Sequence, residues 1–258
     1  MAIKELYNPE RGKMRVAGLM SGSGSNLRKI IEHEKSLEEE NGRSPYQVIV
    51  IFSDNPLSKV DEIGAKHKIP VIIRDLDAFY KERGKPKKDL TVRVDFDNET
   101  LELLKPYDVD VAAYAGYRSI ATAPLLNAFL GVNVHPADLS IMDGNKRKFT
   151  GDKAVRDAII TGEKQIRATT HIIEPQVDYG RILMISFPLA VVIPENFDPR
   201  NNEQVKLIAK EHQDRLKEVG DWVIFPRTLE YIAEGRYSQD FRGNLYFDGE
   251  SIPQGLRL

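Results

Sequence analysis

Cysteine is absent from the 258-residue chain, which excludes disulfides, thiolate nucleophiles and thiolate metal sites and fits a reducing, cytoplasmic setting. An excess of either charge is also missing. The 37 Lys and Arg stand against 39 Asp and Glu, a formal net charge of −2, so no general field draws nucleic acid or an acidic membrane, and an anionic ligand must be held locally. No run approaches the roughly 18 apolar residues of a membrane span, and residues 1–13 are too charged to read as a signal peptide. Metal-ligand spacing is lacking too: His33, His67 and His212 lie in helical stretches without a second ligand nearby. No internal repeat or low-complexity segment is visible. These absences imply a soluble protein with no membrane or nucleic-acid partner, long enough for one sizeable core or two small ones.

What the chain does contain is alternation. Short β-branched runs at 15–19, 48–52, 71–73, 109–113 and 132–134 read as strands, and helical patterns at 27–40, 59–67, 98–105 and 124–129 lie between them. A helix at 153–161, strands at 168–173 and 183–185 and a long helical stretch over 203–231 follow. This pattern predicts an α/β fold with a twisted, mostly parallel sheet and helices on both faces, and ligands then collect at the C-terminal ends of the strands. Residues 81–88 and 137–149 read as loops. The second carries the basic run Lys146, Arg147, Lys148, and such a run usually reads as a solvated face.

Two constellations carry chemistry. Asn133 and His135 are two apart in a strand-like run, so period 2 puts them on one face, and Asp178 follows in Val177-Asp178-Tyr179-Gly180. An amide, an imidazole and a carboxylate can stabilise an oxyanion, shuttle a proton and hold the shuttle, which suffices for acyl transfer without a protein nucleophile. The bland alternative is that each merely caps a strand. The second constellation is Gly22, Ser23, Gly24, Ser25 and Asn26, directly after the first strand and before the first helix, where glycines permit close approach and free N–H groups favour a phosphate. A dinucleotide fingerprint would need a third glycine where Leu27 stands.

With these motifs in hand, the chain resembles the phosphoribosylglycinamide formyltransferase family. Ser21 to Leu27 is similar to that family's phosphate loop, Ala115-Gly116-Tyr117 to the segment before its folate loop, Asn133-Val134-His135-Pro136 to its N-I-H-P, and Ala168 to His171 and Val177 to Gly180 to the strand and turn behind them. Glu211-His212, Phe225-Pro226, Phe247-Asp248-Gly249 and Pro253-Gln254-Gly255 extend the ordered resemblance almost to the end.

The resemblance implies a Rossmann-like formyltransferase fold in a single domain over 1–258, with a phosphate-binding half at 14–132 and a catalytic and folate-binding half at 133–258. It further implies formyl transfer from 10-formyltetrahydrofolate, as co-substrate, to the amine of glycinamide ribonucleotide in purine biosynthesis. His135 would be the acid/base, Asn133 the oxyanion donor and Asp178 the orienting carboxylate. Residues 22–26 would hold the phosphate, with Glu211 at the ribose. Tyr117, Arg118, Ser119, Ile120, Val177 and Asp178 would face the folate, and no metal is required. His171 matches a position near the site, and a buried structural histidine fits it equally well.

Departures from the family pattern fall at 117–121 and 137–150, where substrate identity would be read. Another amine acceptor, a 10-formyltetrahydrofolate hydrolase and a non-catalytic nucleotide-binding module are therefore the alternatives.

Overall fold

In the computed structural model, which describes residues 3–258, the first two positions of the domain expected over 1–258 lie outside the described residues. Eight strands form the main sheet: β1 (Met14–Met20), β2 (Tyr46–Ser53), β3 (Val71–Ile73), β4 (Val111–Tyr114), β5 (Leu130–His135), β6 (Thr169–Ile172), β7 (Ile182–Ile185) and β8 (Leu256–Arg257). Their spatial order is β8-β7-β6-β5-β4-β1-β2-β3. Strands β1 to β5 are mutually parallel, β6 runs antiparallel to both neighbours, and β8 joins β7 in parallel. The order reverses at β1, where the chain leaves β3 at one edge and resumes with β4 on the other side. A ligand crevice forms at such a switch point.

The sheet is buried on both faces, which is why β1 and β2 read as nearly unbroken apolar runs. Val16 and Met20 pack into a layer with Leu27 and Ile30 of helix α1 (Ser25–Asn41) and Ile63 of α2 (Val60–His67). Ala17 and Leu19 face the opposite layer, with Phe79 of α3 (Leu76–Glu82) and Phe96 of α4 (Leu90–Leu104). The remaining helices are α5 (Ala123–Ala128), α6 (Ala154–Ile160), α7 (Asn202–Leu216) and α8 (Trp222–Ala233). Among the described residues, no helix is long and apolar enough to cross a membrane.

The α/β alternation read from the sequence is present, with five differences. Helix α4 starts at Leu90 rather than near 98, because the Asp89 side chain caps it by accepting from the Thr91 N–H. Asp75 similarly starts α3, which occupies part of the expected 81–88 loop. The 203–231 stretch is not one helix: a π-helical segment, Lys217–Asp221, separates α7 from α8. Finally, the expected 137–149 loop contains a hairpin pairing Met142–Asp143 with Lys146–Arg147. A small antiparallel sheet built from Lys4–Glu5, Tyr237–Gln239, Leu245–Phe247 and Glu250–Ser251 was not expected.

Candidate active site

Strand β5 ends with Asn133 and His135, and antiparallel β6 sets His171 opposite Asn133 and Thr169 opposite His135. The connection from β6 to β7 folds back to bring in Asp178, whose backbone is left-handed at φ 58°. Gly180 makes that possible: a Cβ there would lie 1.7 Å from the Ile172 carbonyl oxygen, so any other residue would lift the turn off β6. Asp178 Oδ2 accepts from the Gly151 N–H at 2.7 Å and lies 3.5 Å from His135 Nδ1, while Oδ1 is 3.7 Å from His171 Nε2. All three side chains are buried.

The basic run supports this turn. Arg147 donates from Nη1 to the Asp178 carbonyl at 2.6 Å, and its backbone N–H reaches the Tyr179 hydroxyl. Lys148 pairs with Glu163 at 2.7 Å. The reading of 146–148 as a solvated face therefore holds for Lys146 alone, the one fully exposed member. The correction has a physical cause: the fold brings the Asp178 turn to Arg147 and Glu163 to Lys148, partners distant in sequence that a charge run does not reveal.

Burial pushes the His171 imidazole down to about 4, so it is neutral at physiological pH. Its Nδ1–H donates to the Ile172 carbonyl at 2.9 Å, leaving a bare Nε2 to accept from Asn133 Nδ2 at 3.2 Å. That bond decides which end of the Asn133 amide is nitrogen and leaves its second N–H for another acceptor. His135 donates from Nε2 to the Phe149 carbonyl at 3.0 Å. Burial lowers its pKa and Asp178 opposes the fall. A proton taken up at Nδ1 therefore arrives beside a carboxylate.

Asn133, His135, His171 and Asp178 line one cavity of about 510 Å³. The six residues expected to face a folate, Tyr117, Arg118, Ser119, Ile120, Val177 and Asp178, line it as well. Two of their hydroxyls are already engaged: Tyr117 with Arg93 Nη2 and Ser119 with the Asp54 carboxylate. A second cavity of about 470 Å³ shares Ile120, Ala121 and Ile173 with the first and is lined further by Leu126, Phe129 and Leu130. The sequence reading missed this apolar trough, because its walls come from α5, the start of β5 and the end of β6.

The glycine loop lies beside the cavity rather than in its lining. Gly24 caps α1 in a left-handed conformation, φ 67°, and a Cβ there would meet Ile63 at 2.5 Å. Ser21 stitches the loop to the cavity wall, its N–H donating to the Gly116 carbonyl at 3.1 Å and its Oγ accepting from the Arg118 N–H at 3.0 Å. Glu211 is exposed on α7 and does not line the cavity, whereas Gln213 does. The acidic residue that meets the loop is Asp221, at the end of the π-helical segment, where burial pushes its carboxyl up to about 7 and the neighbouring Asn26 amide opposes the rise. Among the described residues, Asp221 Oδ1 and Asn26 Oδ1 have no hydrogen-bond partner. Reading 203–231 as one helix hid this residue.

A profile of the formyl transferase family matches residues 14–207. A phosphoribosylglycinamide formyltransferase from Haemophilus influenzae is 25% identical over 243 residues, which cover 93% of this chain and 96% of that protein. The human trifunctional purine biosynthetic protein adenosine-3 is 27% identical over 235 residues, 89% of this chain, and the chain spans only 19% of the length of that relative. Among solved structures, glycinamide ribonucleotide transformylase 1 from Symbiobacterium toebii is similar with a TM-score of 0.64 at 26% identity, over 91% of this chain and 94% of that one. With a profile match across most of its length and a similar overall structure, the chain belongs to the formyl transferase family.

Proposed function

We propose that this chain transfers the formyl group of 10-formyltetrahydrofolate to the amine of glycinamide ribonucleotide, a step of purine biosynthesis. The observation that carries the reading is the convergence of Asn133, His135 and Asp178 on one cavity whose wall is tied to the glycine loop at the start of α1. The names of the relatives point to the same reaction. The apolar trough suits a flat bicyclic ring, the α1 N-terminus a phosphate, and the Asp221 carboxyl beside Asn26 a ribose hydroxyl, the part first expected of Glu211. Both halves of the site, 14–132 and 133–258, act within one domain, and the lack of cysteine fits a cytoplasmic enzyme.

In this reading the acceptor's amine forms a bond to the formyl carbon, and the carbonyl electron pair moves to oxygen. The free N–H of Asn133 donates to that oxygen, a contact worth about 3 kcal/mol when preorganised. His135 takes the amine proton, and Asp178 holds the resulting imidazolium. As the pair on oxygen re-forms the carbonyl and the bond from carbon to the donor nitrogen breaks, His135 returns the proton to that nitrogen and is neutral again.

Incubating the purified protein with both substrates, while following formylated acceptor and free tetrahydrofolate separately, tests the reading. Stoichiometric formylglycinamide ribonucleotide is the expected result. Asn133→Ala and His135→Ala should each lower kcat by about a hundredfold or more without changing the melting temperature. Free tetrahydrofolate without formylated product would instead identify a hydrolase. Formylation of a different amine alone would place the reshaped 137–150 segment in acceptor choice.

A further inference from the structure

The cavity wall at 117–121 has no regular secondary structure, yet it is held from behind by charged groups that never reach the cavity. Arg93 and Asp97 lie one turn apart on α4, with Nε 3.0 Å from Oδ1 and side chains 3% and 0% exposed. Arg93 Nη2 donates to the Tyr117 hydroxyl at 2.5 Å. The second oxygen of Asp97 accepts from both the backbone N–H and the hydroxyl of Thr122, each at 2.7 Å. The pair thus grips both ends of the segment.

A buried ion pair is weak evidence for stability, since apolar side chains of similar volume usually serve as well or better. What apolar side chains cannot do is accept from the Thr122 N–H, which stands at the start of α5, or engage a buried phenol. These charge-assisted bonds carry geometric information instead. Between the two anchors, Ser21 takes the Arg118 N–H and Asp54 takes the Ser119 hydroxyl. Among the described residues, the N–H groups of Ser119, Ile120 and Ala121 have no intramolecular acceptor. The side chains that bond the segment, Arg93, Asp97, Ser21 and Asp54, all lie outside the cavity lining.

We infer that Arg93 and Asp97 are positioning residues for the formyl donor: acting through Tyr117 and Thr122, they fix the 117–122 wall in advance of binding. The inference rests on the reading that this cavity takes the folate. Preorganisation of this kind lowers the ordering cost of binding for the ligand that touches the wall and leaves the acceptor's phosphate contacts alone. Its signature is a change in one Michaelis constant of the two.

The test uses Asp97→Asn, Tyr117→Phe and the double variant Arg93→Met/Asp97→Leu, which refills the volume with apolar groups. Each should raise the KM for the donor by about tenfold, with kcat at saturating donor and the KM for the acceptor changed by no more than about twofold. The double variant should do so while melting close to the parent. If it melts close to the parent and its donor KM is also unchanged, the pair is only structural and the inference is overturned. Should the pair variants fail to fold, Tyr117→Phe, which removes a single hydroxyl, decides the matter by the same two constants. Amide hydrogen exchange at Thr122 gives a readout that needs no turnover. Faster exchange in Asp97→Asn upholds the brace even if the parent proves inactive with these substrates, whereas unchanged exchange overturns the brace and leaves the proposed function standing.

Discussion

Acidification should destabilise this protein through His171, and the size of the effect follows from the strand pairing that buries it. In the unfolded chain an imidazole titrates near 6.5. In the fold, burial at 2% exposure holds it neutral down to about 4. Between these two values the unfolded state binds the extra proton, so stability falls as pH drops through 6.5 and goes on falling until about pH 4. At pH 5 the loss is about 1.5 units of 1.36 kcal/mol, or about 2 kcal/mol. His171→Gln keeps an acceptor for Asn133 without a titratable group. Urea unfolding of both proteins at pH 7 and pH 5 should therefore show a parent that loses about 2 kcal/mol more than the variant over that interval. His67, also lowered by burial, contributes to the two proteins alike and cancels in the difference, whereas His135 shares Asp178 with His171 and its contribution changes with the substitution. An identical loss in parent and variant would refute the assignment of a buried neutral imidazole, and with it the argument that His171 sets the Asn133 amide. The catalytic counterpart lies lower, near pH 4, where His171 titrates in the fold: once Nε2 carries a proton it can no longer accept from Asn133, and the amide loses its fixed orientation.

Two further outcomes separate neighbouring groups. Arg147→Met removes the bond from Nη1 to the Asp178 carbonyl and should lower kcat by about tenfold with little change in either KM, whereas Lys146→Met should be silent and Lys148→Met should cost no more than about 1 kcal/mol of stability; equal kinetic effects from all three would return the run to a general field. Asp221, pushed up to about 7 by burial, gains charge as pH rises through neutrality and then accepts a hydroxyl more strongly, so the acceptor KM should fall between pH 6 and 8 in the parent and stay flat in Asp221→Asn, while a parallel fall in the variant would remove Asp221 from the acceptor site.

The parts of the fold that were legible in the sequence are those in which burial writes a periodic pattern. Strands β1 and β2 are covered on both faces and read as continuous apolar runs; Asn133 and His135 declare a shared face by their spacing of two. Helix α4 was half hidden because Arg93 and Asp97 sit among its buried residues, next to the i, i+4 series Val92, Phe96, Thr100 and Leu104, and two charges on an inward face look like solvent exposure. Strand β8 and the small antiparallel sheet consist of segments of two or three residues, too short to show a period at all. Glu211 entered through the resemblance of Glu211-His212 to a family pair and is exposed on α7, while the buried carboxyl beside Asn26 is Asp221, at the end of a π-helical segment that a continuous helical pattern over 203–231 conceals.

His171 shows what no reading of a single strand could supply. Its part depends on β6 running antiparallel to β5, which puts it opposite Asn133 in the register, and on a tautomer fixed by its own backbone, with Nδ1–H given to the Ile172 carbonyl. Reverse that tautomer and Nε2 would donate; the Asn133 amide would then turn its oxygen toward His171 and its nitrogen away. The orientation of the Asn133 amide thus follows from a strand direction, a residue register and a buried imidazole together, all three set by the way β6 pairs with β5. The carboxylate of Asp178 reaches both histidines only because Gly180 allows its turn to press against β6. The geometry of the Asn133 amide is therefore a property of the β5–β6–turn unit as a whole, and a substitution at Gly180, which makes no chemical contribution of its own, should disturb it as surely as one at Asp178.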